Sequence, residues 1–185
     1  MGVKVITPPD LSASITIADL RAHCRTGTTE DAQLMAFLAG AAAYAEHYTG
    51  RAIGTQTLEL ALDAFPAGAI ELPRGSVTAI TSITYVDAVG LTQTLSNTLY
   101  TLDNYDALQC WAVPAVDTTW PSIDSVANAV KVRYVAGEVT PAVRSALLLF
   151  VGHLFENREA SAPAQVWDLP LGVKSLLDTV KVWGV

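Results

Sequence analysis

Charge is scarce in this chain. Asp, Glu, Lys and Arg make up 16% of its 185 residues, where an ordinary globular domain carries about 25%. With 51% apolar residues, that scarcity leaves more apolar surface than a monomer covers, and it predicts packing against other subunits. Basic residues are the scarcer sign: 11 Lys and Arg stand against 18 Asp and Glu, for a net charge of −7. A general nucleic-acid binder needs clustered cations to meet phosphates, so this balance argues against one. Cysteine is limited to Cys24 and Cys110. No CxxC or Cys/His cluster accompanies them, which argues against a metal site and a disulfide framework. Long apolar runs are missing too. The N-terminal MGVKVITPPDL has no apolar stretch of signal-peptide length, and the run Ala146–Val151 is far short of the roughly 20 residues that span a bilayer. The expectation is a soluble protein made in the cytoplasm, with no membrane partner.

Motifs of catalysis are also lacking. The sequence has no G-x-S-x-G elbow, no G-x-x-x-x-G-K-[ST] and no G-x-G-x-x-G. His153 and Glu156 stand three apart in a helical stretch, a spacing that can place both on one metal. No second H-x-x-E or E-x-x-H completes such a site. The favoured reading is a histidine at the end of a packed helix beside a glutamate that is solvated or paired with Arg158 or Arg144. Glu46 and His47 are adjacent and so point to different parts of a helix surface. No catalytic, cofactor-binding or metal-ligating residue is expected.

What the chain has in quantity is helical patterning at both ends. Thr16 and Asp19 form a T-x-x-D start for a short helix from Ile17 to about Arg25, with Gly27 as its breaker. A second helix runs from about Glu30 to Tyr48, with Leu34, Leu38, Ala41, Ala45 and Tyr48 on one stripe and Gly50 closing it. After Arg51 the period changes to alternation. Candidate strands are Thr57–Asp63, Ala69–Leu72, Val77–Val86, Leu91–Leu95, Tyr100–Leu102, Ala107–Val113 and Ala129–Val135, with a hairpin turn at Asp87–Gly90. Helix returns at Pro141 behind the N-cap Thr140. PAVRSALLLFVGHLFE is apolar most of the way round, which predicts burial on nearly all sides. After a Pro-containing loop, Asp168 and Pro170 can open a last helix lined by Val173, Leu176, Leu177 and Val180.

The fold expected is α+β. About four helices from residues 1–54 and 138–185 pack as one helical domain, and residues 55–137 form a β-rich insertion between helices two and three. Of the four tryptophans, Trp111 and Trp120 belong to the β region, whereas Trp167 and Trp183 bracket the last helix, where a large rigid side chain suits an interface.

Several stretches together resemble the bacteriophage head-tail connector, or adaptor, family. They are ITPP, AAAYAEHYTGRAI (Ala41–Ile53), TQTLELALDAFP (Thr55–Pro66), IELPRGSVTAITSITYVDAVG (Ile70–Gly90), VRYVAG (Val132–Gly137), LLLFVGHLFENREA and LPLGVKSLL. HLFENRE and AEHYTGRAI are the most specific, and none is catalytic. The resemblance implies a non-enzymatic virion component, made in the bacterial host and placed in the neck of a tailed phage or gene transfer agent. Such proteins form a homo-oligomeric ring, commonly a dodecamer, below the portal protein. The ring extends the channel, through which DNA passes without sequence-specific binding, towards a stopper or other tail-proximal protein. By polarity and placement, Trp167, Leu171, Leu176, Leu177 and Trp183 are candidates for docking on the portal. Tyr44, Tyr48, Arg51, Glu156, Arg158 and Glu159 are candidates for ring contacts. The alternatives are another neck ring, a stopper or tail terminator expected to be mainly β, or a small metal-dependent hydrolase using His153 and Glu156.

Overall fold

Thr16 caps the first helix in both directions: its hydroxyl accepts from the Asp19 N–H at 3.2 Å, and its own N–H donates to the Asp19 carboxylate at 2.8 Å. Such reciprocal caps contribute about 1 kcal/mol. The resulting α1 (Ile17–Cys24) belongs to a helical unit built from Asp10–Ile53 and Val139–Val185. The protein is described from a computed structural model, which describes residues 2–123, 126–157 and 171–182. α1 stops before Gly27, because Arg25 takes the left-handed conformation at φ 53°. A 3-10 turn over Thr28–Glu30 leads into α2 (Asp31–Thr49). Gly50, at φ 72°, ends α2 by donating its N–H to the Glu46 carbonyl at 2.9 Å. α3 (Pro141–Glu156) starts at the Thr140 cap, and α4 (Leu171–Asp178) follows. The expected opening of α4 at Asp168 and Pro170 lies outside the described residues.

Leu20, Leu34, Leu38, Ala41, Ala45, Val143, Leu147, Val151, Val173 and Leu177 form the core of this unit. Arg21 clamps Asp31 with two bonds, tying α1 to the start of α2. Arg144 reaches from α3 to the Ser14 carbonyl and to Asp19, each at 3.0 Å. One expectation fails here. α3 is not buried all round: Val143, Ala146, Leu147 and Val151 are sealed, Phe150 is half-buried, and Leu149 is 44% exposed.

The second unit comprises Met1–Pro9 and Gly54–Glu138. The first nine residues, grouped with the helices on sequence grounds, therefore belong with the strands. Their extended backbone, which includes Pro8 and Pro9, is taken up as a sheet edge, where proline is tolerated. That strand is β1 (Gly2–Asp10). With β2 (Thr55–Leu62), β4 (Val77–Val86), β5 (Thr92–Thr94) and β8 (Val130–Ala136) it makes a five-stranded sheet in the order β1-β2-β8-β4-β5. β3 (Ile70–Leu72), β7 (Cys110–Pro114) and β6 (Tyr100–Asp103) make a second sheet in the order β3-β7-β6. The central antiparallel ladder sets Leu58 opposite Tyr134 and Leu60 opposite Val132, all fully buried, while the next-door pair Glu59 and Arg133 joins in a 2.7 Å ion pair. Period-two alternation thus separates core from charge, residue by residue. Tyr134 places its ring in this core and its hydroxyl on the Pro73 carbonyl at 3.0 Å. The fold is α+β, as the sequence pattern implies.

Candidate interface

α2 carries its buried stripe on Leu34, Leu38, Ala41, Ala42, Ala45 and Thr49. The opposite side is where this helix departs from ordinary surface chemistry. Ala32, Met35, Ala36, Ala39, Gly40, Ala43, Tyr44 and His47 are all exposed, and from Ala32 to Ala45 no residue is charged. A helix that faces water on one side normally shows charged and polar residues there. Here the outward face is smooth and apolar for three turns: nothing lies within 4 Å of a Cβ built on Gly40, and Met35 is 49% exposed.

At its C-terminal end this face runs into an aromatic group. Tyr44 stacks on Tyr48 with centroids 6.1 Å apart and meets Phe150 of α3 edge-on at 5.5 Å. The exposed Leu149 precedes Phe150 in sequence, and its terminal methyl lies 3.9 Å from a Cβ built on Gly172, beside the 83% exposed Leu171. α2, α3 and the first turn of α4 therefore share one uncharged outer strip: Gly40, Tyr44, Phe150, Leu149 and Leu171. Met35 and Leu149 are side chains on this surface that the sequence reading did not nominate, whereas Leu171 was nominated. The run of uncharged residues around Gly40 was the available signal for Met35.

The tail of α4 is pinned rather than projecting. The Tyr48 hydroxyl donates to Asp178 at 2.6 Å, the Lys181 ammonium sits 4.4 Å over the Tyr48 ring, and the Val182 N–H donates to the Thr49 carbonyl at 2.9 Å. The bond to Asp178 pushes the Tyr48 phenol up to about 12, with burial and the carboxylate charge adding to it.

The residues singled out from sequence fall in different places. Of the portal-docking candidates, Leu171 is exposed, Leu176 is half-buried against the core, and Leu177 is 1% exposed within it. Leu177 is a core residue in this conformation: the apolar stripe that nominated it is the stripe the helix buries on its own unit. Trp167 and Trp183 lie outside the described residues, as do Arg158 and Glu159. Of the ring-contact candidates, Tyr44 is exposed and Tyr48 half-buried, whereas Arg51 is 9% exposed and belongs to the interior. Glu156 is exposed at the end of α3. Its neighbour His153 receives the Asn157 side-chain amide, at 2.9 Å on its carbonyl and 3.3 Å at Nδ1. Arg144, weighed as a partner of Glu156, is committed to Asp19. Among the described residues no group of three or more His, Cys, Asp or Glu could hold a metal, and no helix is long and apolar enough to cross a membrane. Burial holds the Cys24 thiol above its usual range, and Glu156 reinforces that.

The fold has solved counterparts. One is a chain from the neck of an empty GTA particle computed with C6 symmetry, at 24% identity and a TM-score of 0.80. Another is from the virion of a native gene transfer agent (GTA) particle, at 25% identity and a TM-score of 0.79. A third is from the neck of a native GTA particle computed with C12 symmetry, at 23% identity and a TM-score of 0.74. In each case the match covers 100% of this chain and 97% of the other. No family model matches the sequence, and no curated protein does either. At these identities the first and third likenesses speak to fold alone.

Proposed function

We propose that this chain is a structural subunit of a virion neck, in a gene transfer agent or tailed phage, and that it works as the head-tail adaptor: a homo-oligomeric ring between portal and tail-proximal protein. The observation that carries the reading is the likeness to the virion chain of a native gene transfer agent, which covers 100% of this chain and 97% of that one. The uncharged outer strip from Gly40 to Leu171 agrees with it, since a surface of that kind is covered in the working state. Sixfold and twelvefold symmetry in the similar particles supports a ring, with twelve copies as the expected number. The acidic balance, −7 per copy, suits a channel wall that lets DNA slide. No step of chemistry is assigned to it.

In this reading the ring contacts run along the outer face of α2 through Tyr44, and Leu171 leads the portal-docking surface. Negative-stain imaging of the purified chain, alone and mixed with the portal protein of the same particle, tests the proposal. A ring that stacks coaxially on the portal is the expected result. A ring that ignores the portal but caps the tail-proximal ring would identify a stopper instead, and a monomer at high concentration would overturn the ring.

A further inference from the structure

We propose that the five-stranded sheet continues from copy to copy, with the β1 edge of one subunit pairing with the β5 edge of the next. The inference rests on the ring reading above and adds to it a second, strand-to-strand contact in the β unit. β1 and β5 are the two ends of the sheet order. Opposite edges of one sheet are different surfaces, and a ring of identical copies needs a contact between different surfaces, one that an isologous pair cannot supply.

Among the described residues both edges are left open. Every residue of β1 is exposed except the half-covered Val3, with Val5 at 39% and Ile6 at 37%. Thr92, Gln93 and Thr94 of β5 are exposed, and the hairpin before them shows Leu91 at 60% and Val89 at 78%. The ladder between β4 and β5 uses alternate residues: Leu95 donates its N–H to Ile83, and Leu91 accepts from Asp87. The N–H and C=O groups of Thr92 and Thr94 therefore face away from β4, towards the open side.

Edges of monomeric sheets are usually blunted by charge, proline or bulges. β5 has no charge and no proline. In β1 the prolines at 8 and 9 block only the far end, leaving Gly2–Thr7 free to pair. In the β2–β8, β4–β8 and β4–β5 ladders the register irregularities lie between β4 and β8, in the sheet interior, where they do not blunt the β5 edge. What charge there is complements: Lys4 is the single charge of residues 2–9, and Asp87 the single charge from Thr84 to Tyr100. Asp87 accepts from Val89, Leu91 and Gln93, so it stays anionic. A pairing three residues long sets register and direction between copies, while the helical strip supplies the larger area.

The test is a full-length double variant, Val5→Cys with Thr94→Cys, treated with a short thiol–thiol crosslinker that tolerates a register shift of a residue or two. The expected result is a ladder of covalent multimers up to the ring number, absent from either single variant and from the parent with its own Cys24 and Cys110. A second variant, Thr92→Pro, removes one outward donor and leaves the β4 ladder intact; it is expected to raise the concentration needed for ring formation at least tenfold with unchanged circular dichroism. Intact rings with no ladder, and rings unaffected by Thr92→Pro, would overturn the strand contact and leave the ring reading standing. Covalent dimers from Val5→Cys alone would mean β1 pairs with β1, which overturns it as well. A parent that forms no ring removes both proposals.

Discussion

Gly40 separates the stability of the subunit from the stability of the assembly. It lies in the middle of α2 on the exposed side, with nothing within 4 Å of a Cβ placed there. Glycine inside a helix costs about 0.8–1.0 kcal/mol relative to alanine, and glutamate is nearly as good a helix former as alanine. In the isolated subunit both Gly40→Ala and Gly40→Glu are therefore stabilising, by about 2–4 °C in melting temperature for a chain of this size. If the α2 face is dry in the ring, Gly40→Glu buries an unpaired carboxylate at every subunit contact. An uncompensated buried charge costs at least about 3 kcal/mol, which is roughly a hundredfold in contact affinity. Stability and assembly should then move in opposite directions. Thermal melts at concentrations below assembly, with sedimentation velocity or single-particle mass measurement across a dilution series, read the two separately. Rings of Gly40→Glu forming at the parent concentration would refute the argument, because the face would then be solvated in the ring.

Other consequences are as concrete. Leu147 is 1% exposed at the centre of the helical core, so Leu147→Ala should cost about 2–5 kcal/mol in denaturant unfolding. Gly75 has φ +58°, and a Cβ there would stand 2.8 Å from the Ala107 carbonyl oxygen; Gly75→Ala should destabilise the β unit by more than about 1 kcal/mol, read by the same method. The Tyr48–Asp178 bond gives a pH signature. A phenol raised to about 12 in the folded chain contributes stability that is complete below its ordinary value near 10 and is lost as pH rises through about 12. Ultraviolet titration of tyrosinate should lose one late-titrating group in Asp178→Ala. At the acid end, bonds from Thr16 hold the Asp19 carboxyl below its usual range, and the Arg21 guanidinium does the same for Asp31. Their stabilisation is present above the ordinary carboxylate value and fades as pH falls through the lowered ones. Asp31→Asn should therefore lower the melting temperature at pH 7 and make little difference near pH 2.

The two helical ends and the intervening β region could be read from sequence because their signals are local. Thr16 with Asp19, Thr140 with Pro141, and Gly50 act within a few residues of themselves, and Glu59 and Arg133 sit on the alternation that pairs them. β1 was missed because its partner is more than forty residues away and its own pattern, exposed on both faces, carries no alternation to detect. The candidate interface was half legible. An apolar stripe cannot by itself say whether it faces the unit's own core or a partner, and Leu177 and Leu171 on one short helix went to opposite fates. Arg51 was nominated by charge, a poor guide where 9% exposure places it inside.

The placing of charge explains how the helical unit remains a defined fold with so apolar an exterior. Asp19, Arg21, Asp31 and Arg144 are spent internally, clamping α1 to α2 and to α3 at one end of the unit. Asp178 and Lys181 do the same for the end of α4 against Tyr48. With these groups fixing how the helices cross, the outer residues of α2 are released from that task. Small uncharged side chains there let another helix approach closely, as large or charged ones would not. A subunit built for solution would put lysines and glutamates at positions 36, 39, 40 and 43, where they cost the fold nothing and improve solubility. Alanine and glycine at those positions suit a face that another surface covers, while the apolar core holds the unit folded and its ion pairs help fix how the helices cross.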